Sequence, residues 1–447
     1  MLTLASPRGI RLLKVVGVQK PREIALQVLQ GRGGGKFIED LLEAAFSQGR
    51  LSDADSRLCR ELVFGIIRRQ LTLDWLITRK TAGRTQSPRL KDLLYLGLYQ
   101  IFWLDRIPNH AAVNETVELA KQRGFQGQSG FVNALLRGYL REFEATKQLL
   151  EELKTTQPHV GYSHPQWLVD RWQRRWGTEL TAKLMEWNNT PSKMFARVNT
   201  LKTDAGKLVS QWREENVEYD FVRRDWCEEN LVFELKSHPL LMRLPSFQQG
   251  LFYVQDPSTL LAVSQLAPLP GERVLDFCAA PGGKLTYMAQ LMKNEGTLVA
   301  HDRSADRLKL VEENCARLGV TCVKTTLPAG LNAEAKKLFD RILIDAPCSN
   351  TGVMRRRQDL RWRIRLEEIE RLRTEQLELL RKALSLLKPG GKLVYSTCSL
   401  EPEENQMVVQ QFLSERPEFK LDLERELIPF TDGSDGAYQA TLISCHR

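Results

Sequence analysis

Two cysteines stand in short polar loops, each directly after a β-rich run. Cys348 lies in Asp345–Ala346–Pro347–Cys348–Ser349, and Cys398 lies in Ser396–Thr397–Cys398–Ser399. A thiolate is nucleophilic near neutral pH and also leaves readily, so a cysteine in such a loop suits reversible covalent catalysis. Alkylation of a pyrimidine at carbon 5 needs this chemistry. Cytosine C5 is too weakly nucleophilic to take a methyl group unaided, and a thiolate adding at C6 makes it enamine-like. Loss of the C5 proton and elimination of the thiolate then restore the ring. Asp345 could sit on the pyrimidine edge and stabilise charge as the adduct forms. A base in RNA must be unstacked or flipped to reach such a pocket. Spacing alone leaves other readings open. An N-methyltransferase using the Asp-Pro type of loop, with no covalent step, fits the same residues. Free cysteines also often just fill space, which is the reading for Cys59, Cys227, Cys278, Cys315, Cys322 and Cys445.

A glycine turn lies upstream. A strand ending in Asp276–Phe277–Cys278 runs into Ala279–Ala280–Pro281–Gly282–Gly283–Lys284. The two glycines let the backbone turn and approach a ligand closely. The turn is neither G-x-G-x-x-G nor a Walker A loop. The next strand ends at Asp302, placed to accept hydrogen bonds from ribose hydroxyls or to begin the helix opening at Ser304. Lys284 is expected in the cleft, or paired with a nearby carboxylate. After the Cys348 loop, GVMRRRQDLRWRI supplies Arg355, Arg356, Arg357, Arg361 and Arg363 around Trp362. Arginine forks match phosphate oxygens, so this segment reads as an RNA-contacting patch at the cleft mouth, or as a solvated helix face.

Three kinds of segment position these residues. Residues 20–145 place apolar side chains at three- and four-residue intervals, punctuated by Gly, Pro and Asn, and predict five or more helices. Residues 146–255 are mixed: HPQWLVDRWQRRWG reads as an amphipathic helix and KMFARVNTLKT as a strand and turn. From Arg273 the pattern becomes a doubly wound α/β sheet, with VLDFC, TLVAH, TCVKT, RILIDAP and KLVYSTC as strands and helical stretches between them. ATLISCHR reads as a last, antiparallel strand. The predicted architecture is therefore an all-α domain over 1–145, a small mixed α/β domain over 146–255 and an α/β catalytic domain over 256–447.

Composition bounds the function. Lysine and arginine number 64 against 55 acids, a net charge of +9, and residues 1–145 alone hold 22 basic and 14 acidic residues. A basic domain attracts polyanions through its summed field, or is simply a solubilising surface. Eight dispersed cysteines without a Cys-x-x-Cys pair argue against a disulfide scaffold and a structural zinc site. No apolar run approaches a membrane span. The first residues lack the apolar core and cleavage site of a signal peptide, so a reducing cytoplasm is the expectation.

DFCAAPGGK, DAPCSNTG and YSTCS followed by EPEEN closely resemble the bacterial Sun-type RNA cytosine-C5 methyltransferases of small-subunit ribosomal RNA. VQDPS and ARVNTLK are similar to the family's lead-in and to the Arg-x-Asn segment of its small appended domain. DSRLCRELVFGIIRR, IPNHAAVNETVELAK and FVNALLR resemble its N-terminal RNA-binding domain, which shares the fold of the antitermination factor NusB. The likeness covers about residues 20–445. It implies a Rossmann-like class I fold and S-adenosyl-L-methionine as cofactor. The cofactor would be held by Cys278, Ala279, Ala280, Pro281, Gly282, Gly283, Lys284, Asp302, Arg307 and Asp345. It assigns Cys398 as nucleophile and Cys348 to product release. Arg355, Arg356, Arg361, Trp362, Arg197 and Asn199 are the expected RNA contacts. The implied substrate is ribosomal RNA before full subunit assembly, at cytosine-967 of 16S RNA in the family's numbering, with the chain acting as a monomer without a metal. The chain departs from the family at Leu327, where an acid is usual, at Gln358, where proline is usual, and at Asp435–Tyr438, where an aromatic pair is common. The Leu327 departure keeps a second reading alive: a noncatalytic RNA-binding or ribosome-assembly factor on a degenerate methyltransferase fold.

Overall fold

The computed structural model describes residues 21–48, 51–334 and 337–444. Cys445 and the first twenty residues lie outside that set. The chain divides into two compact units, Met1–Met185 and Glu186–Arg447. The helical unit thus extends past the expected limit at 145, through Phe143–Thr156 and into Gln166–Asn189, a helix interrupted at Gly177 with φ 78°.

The helices of the first unit follow from local signals. Ser52 caps Asp53–Arg68 by accepting from the Asp55 amide, and this helix buries Cys59, Leu62, Val63, Ile66 and Ile67 at helical spacing. Ser87 caps Pro88–Trp103, with proline in its first turn, where the missing N–H has no helical partner to lose. Gly65 is required where these helices meet, because a Cβ there would lie 2.0 Å from the Tyr99 ring. No described helix is long and apolar enough to cross a membrane.

The second unit contains two sheets. The smaller is antiparallel, in the order β2-β3-β1-β4, from β1 (Met194–Val198), β2 (Glu218–Phe221), β3 (Val232–Ser237) and β4 (Phe252–Val254). Trp212, on the helix Ala205–Glu214, packs edge-on against Phe233 and Phe252, each ring at 5.4 Å. The larger sheet runs β10-β11-β9-β8-β5-β6-β7. Its parallel strands are β5 (Arg273–Asp276), β6 (Thr297–His301), β7 (Val323–Thr326), β8 (Phe339–Asp345) and β9 (Leu387–Thr397). Antiparallel β11 (Ala437–Ser444) lies between β9 and β10 (Phe419–Leu427), as ATLISC foretold. Strand residues alternate between two cores: Val274, Leu298, Leu343 and Val394 on one face, Leu275, Val299, Ile342 and Leu393 on the other. Burial on both faces explains the nearly continuous apolar runs. The order reverses between β5 and β8, and an open α/β sheet binds ligands in the crevice at such a switch point.

The Arg-x-Asn segment of β1 has a different place from the one expected. Arg197 is buried, donating to Gln255 Oε1 at 2.5 Å, the Gly283 carbonyl at 2.8 Å and Thr286 Oγ1 at 2.9 Å. Burial lowers its guanidinium to about 9. Asn199 is also buried and donates to the carbonyls of Gly250 and Leu318, both at 2.8 Å. Instead of an RNA-facing surface, these two side chains fasten the small sheet to the glycine turn and its neighbouring helix. Asn199→Ala strands two buried carbonyls, which costs about 2 kcal/mol or more. Urea unfolding without RNA should show that loss; an unchanged midpoint would return Asn199 to a surface role.

Candidate active site

The carboxyl ends of β5, β8 and β9 converge on a cleft of about 360 Å³. Cys278, Ala279, Ala280, Pro281, Gly283 and Lys284 form one wall, and Asp276, Asp345, Asn350 and Cys398 the floor. Phe195 and Tyr253 enter from the small sheet, Arg356, Arg357 and Asp435 from the remaining side. β8 and β9 are neighbours with Asp345 opposite Ser396, so their two loops meet as strand order required.

The cysteines touch. Cys348 Sγ lies 3.3 Å from Cys398 Sγ, and Cys398 Sγ donates to Asn350 Oδ1 at 3.0 Å. Cys398 is half-buried and lines the cleft; Cys348 lies buried beside it. The contact with Cys398 and then burial raise the Cys348 thiol well above the ordinary cysteine range.

Glu404, in the EPEEN run, holds the two loops together. Its buried carboxylate accepts from the Ser349 amide at 2.8 Å, from the Ser349 hydroxyl, from Ser399 Oγ at 2.5 Å and from Gln376 Nε2 at 3.1 Å. Burial nevertheless raises its pKa, with those donors opposing. Asn405 adds bonds to Thr397 Oγ1 at 2.6 Å and to the Ser399 carbonyl at 2.9 Å. The C-terminal strand closes the same corner. Gly352 donates to the Cys398 carbonyl at 2.9 Å and Gly436 to the Gly352 carbonyl at 2.9 Å; a Cβ on Gly352 would stand 2.7 Å from both Cys398 O and Gly436 O.

Lys284 donates to Asp345 at 2.7 Å, the carboxylate pairing that was one of its two expected roles. Burial is the largest single influence and works against its charge, but Asp345, Cys398 and Asp276 together raise the ammonium. Asp276 is 1% exposed; the Cys278 amide is the donor nearest to it, and neither oxygen makes a well-formed hydrogen bond. Burial pushes its carboxyl up to about 8, with Asp345 adding and Lys284 opposing. Asp302 is buried but does not line the cleft; it accepts from the Ser304 amide at 3.0 Å and pairs with Arg307 at 3.2 Å. Arg307 also donates to the Ala280 carbonyl at 2.8 Å, bracing the turn from behind. Ser304, not Asp302, caps the following helix.

The arginine segment departs from expectation. Arg361 is fully buried and donates to Asn189 Oδ1 at 2.9 Å and to the Asn188 carbonyl at 3.1 Å. Arg355 is buried over the Trp187 ring at 4.1 Å. The Trp187 ring draws Arg355 inward, and the Asn188 and Asn189 oxygens draw Arg361. Arg356 is half-buried, held by Asp256 at 2.6 Å and by Asp435. Trp362 is half-buried and Arg357 is exposed at the cleft. The mouth therefore carries fewer outward-facing cations than the run of arginines promised. Sequence reading missed Asn350, Glu404 and Asp276 as site residues. The αL-prone asparagine after Cys348 and the acid pair in EPEEN were visible, but nothing local says that they turn inward.

The described residues fit the cofactor of a class I methyltransferase. The Gly282 turn has φ 104°, and at Gly283 a Cβ would stand 3.1 Å from the Tyr253 ring. With the unpartnered carboxyl of Asp276 they form a cradle suited to a cation-bearing nucleoside. Three family descriptions match the chain: 16S rRNA methyltransferase RsmB/F over residues 263–442, the NusB family over 19–141, and a Methyltr_RsmF/B-like, ferredoxin-like domain over 164–235. The probable ribosomal RNA small subunit methyltransferase B of Bacillus subtilis (strain 168) is 37% identical over 415 residues, 91% of this chain and 90% of the relative. This chain belongs to the RsmB/F family. It is an S-adenosylmethionine-dependent methyltransferase with a NusB-like N-terminal region. The protein of the same description from Synechocystis (strain PCC 6803) is 36% identical, covering 89% of this chain and 90% of the relative. Among solved structures, that of PH0851 superposes with a TM-score of 0.76 at 27% identity, over 94% of this chain and 98% of its own.

Two outcomes test this RsmB/F site. Glu404→Gln exchanges one acceptor for a donor among four donors, so methyl transfer should fall at least tenfold and stability by about 2–4 kcal/mol, read by turnover and chemical unfolding. Asp276 carries a folded-state pKa near 8, raised from its unfolded value. A raised acid adds stability below its unfolded pKa and loses it as pH rises through the folded one. Asp276→Asn should therefore gain stability over the parent progressively from about pH 4 to 8 and level off above; a pH-independent difference would refute the buried proton.

Proposed function

We propose that this enzyme methylates carbon 5 of a cytosine in 16S ribosomal RNA, cytosine-967 in the family's numbering, through a covalent bond between Cys398 Sγ and C6. The observation that carries the reading is the cleft-lining Cys398 thiol in contact with Cys348, beside the Lys284–Asp345 pair. S-adenosylmethionine supplies an electrophilic methyl group. The Cys278–Lys284 wall and Asp276, which line the cleft, would hold it, and Asp302 would brace that wall through Arg307.

The chain's own residues divide the work. Cys398 adds to C6 as thiolate, and the electron pair of the C5–C6 double bond becomes available at C5 for the methyl. Asp345 would accept from the N4 amino group of the base, and Lys284 holds that carboxylate in place. Solvent water in the cleft then takes the C5 proton, the C5–H electron pair re-forms the C5–C6 double bond, and the S–C6 bond breaks to return the thiolate. Cys348 retains its proton in the resting enzyme and lies next to the departing sulfur, which suits a part in release. The basic helical unit gathers RNA by its field, and Arg357 presents an exposed cation at the mouth. We place the enzyme in the cytoplasm, acting as a monomer on RNA not yet fully assembled into the subunit.

RNA carrying 5-fluorocytosine at the target removes the C5 proton that elimination needs, and should leave the protein covalently attached. Cys398→Ala should form no adduct and lose turnover by about a hundredfold or more. Cys348→Ala should accumulate adduct on ordinary RNA. Denaturing gels of protein with labelled RNA read all three; free RNA throughout, despite binding, would sink the covalent mechanism.

A further inference from the structure

Asn350 sits in the left-handed region, φ 60°, which asparagine tolerates better than most side chains. Its amide nitrogen donates to the Cys348 carbonyl at 2.7 Å, and its Oδ1 accepts from Cys398 Sγ at 3.0 Å. The orientation is forced. A backbone carbonyl only accepts, so the amide nitrogen must face Cys348 O and the oxygen must face the thiol. Cys398 has one proton, and it points at Asn350. The 3.3 Å contact between the sulfurs must then be donated by Cys348. The three residues form a directed chain: Cys348 S–H to Cys398 S–H to the Asn350 carbonyl.

A carbonyl oxygen aimed at a sulfur favours the thiol over the thiolate, whereas the Cys348 S–H donated to the same sulfur favours the thiolate, so removing Asn350 leaves the second influence unopposed. The Asn350 carbonyl also fixes one rotamer of Cys398. We propose that Asn350 is a positioning residue that holds the Cys398 S–H bond and fixes the side chain toward the cleft while the enzyme is free. The inference rests on the reading of Cys398 as the nucleophile. Other charged or titratable groups face this corner: Lys284 with Asp345 and Asp276 from the cofactor side, Glu404 and Tyr395 behind Cys348, and Arg356, Arg357 and Asp435 across the cleft. All are unchanged in the variants below, so a shift between variants belongs to Asn350.

The test is alkylation of Cys398 by iodoacetamide as a function of pH, on the full chain without RNA or methyl donor, with the modified peptide identified by mass. Asn350→Gly removes the acceptor without backbone strain, and Asn350→Asp keeps its size and left-handed tolerance while adding negative charge. The midpoint should fall by about half a unit in the glycine variant, which is about threefold faster alkylation near neutral pH, and should rise in the aspartate variant. Opposite shifts are the expected result; loss of packing alone would not move the two variants in opposite directions. Midpoints that coincide with the parent, or shift together, would overturn the proposal. Shifted midpoints with no trapping by 5-fluorocytosine would retain the Asn350 contact and remove the covalent mechanism. Coincident midpoints with intact trapping would do the reverse.

Discussion

The active corner depends on one buried carboxylate. Glu404 receives donors from the loop after β8 and from the loop after β9, and it is shut off from solvent. Burying a charge is costly unless donors surround it; here the donors are the residues next to each cysteine. The carboxylate and its ligands therefore have one good arrangement, and that arrangement brings Cys348 and Cys398 into contact. Parallel pairing of β8 with β9 puts the loops side by side. The carboxylate converts adjacency into sulfur–sulfur contact.

Electrostatics at the switch point follow from the same crowding. Three acids, Asp276, Asp302 and Asp345, stand at the ends of three strands, while one ammonium, Lys284, lies among them. Lys284 pairs with Asp345, and Asp302 pairs with Arg307. Asp276 is left to hold a proton or receive a cation from outside. A cleft with one such unmet group is prepared for a positively charged ligand, consistent with the sulfonium and amine of the cofactor of this family.

Much of this was legible in the residues. The short apolar strands, the doubly wound order and the antiparallel last strand were all readable, because burial on two faces leaves a continuous apolar signature. Spacing alone left the meeting of the Cys348 and Cys398 loops open, and their separate roles came only from family likeness. The arginine-rich segment misled, since charge in a sequence does not say which way a side chain turns: Arg355 and Arg361 face inward to aromatic and carbonyl partners, as Arg197 does. Asn350 and Glu404 were invisible as site residues because each joins one cysteine loop to the other, across 48 positions to Cys398 and 55 to Ser349. Leu327 is 41% exposed directly after β7, so the acid that the resemblance implied there would be a surface acceptor rather than a core contact.

The close approach of Gly352 and Gly436 reaches beyond packing. The Cys398 loop is braced by a segment of chain made well after it, and β9 gains its second neighbour only when β11 has been laid down. During synthesis the cysteine pair therefore emerges before the strand that completes its surroundings. A nascent chain can hold the whole glycine turn and both thiols and still lack a finished reaction centre, so competence arrives late and all at once with the closing hairpin.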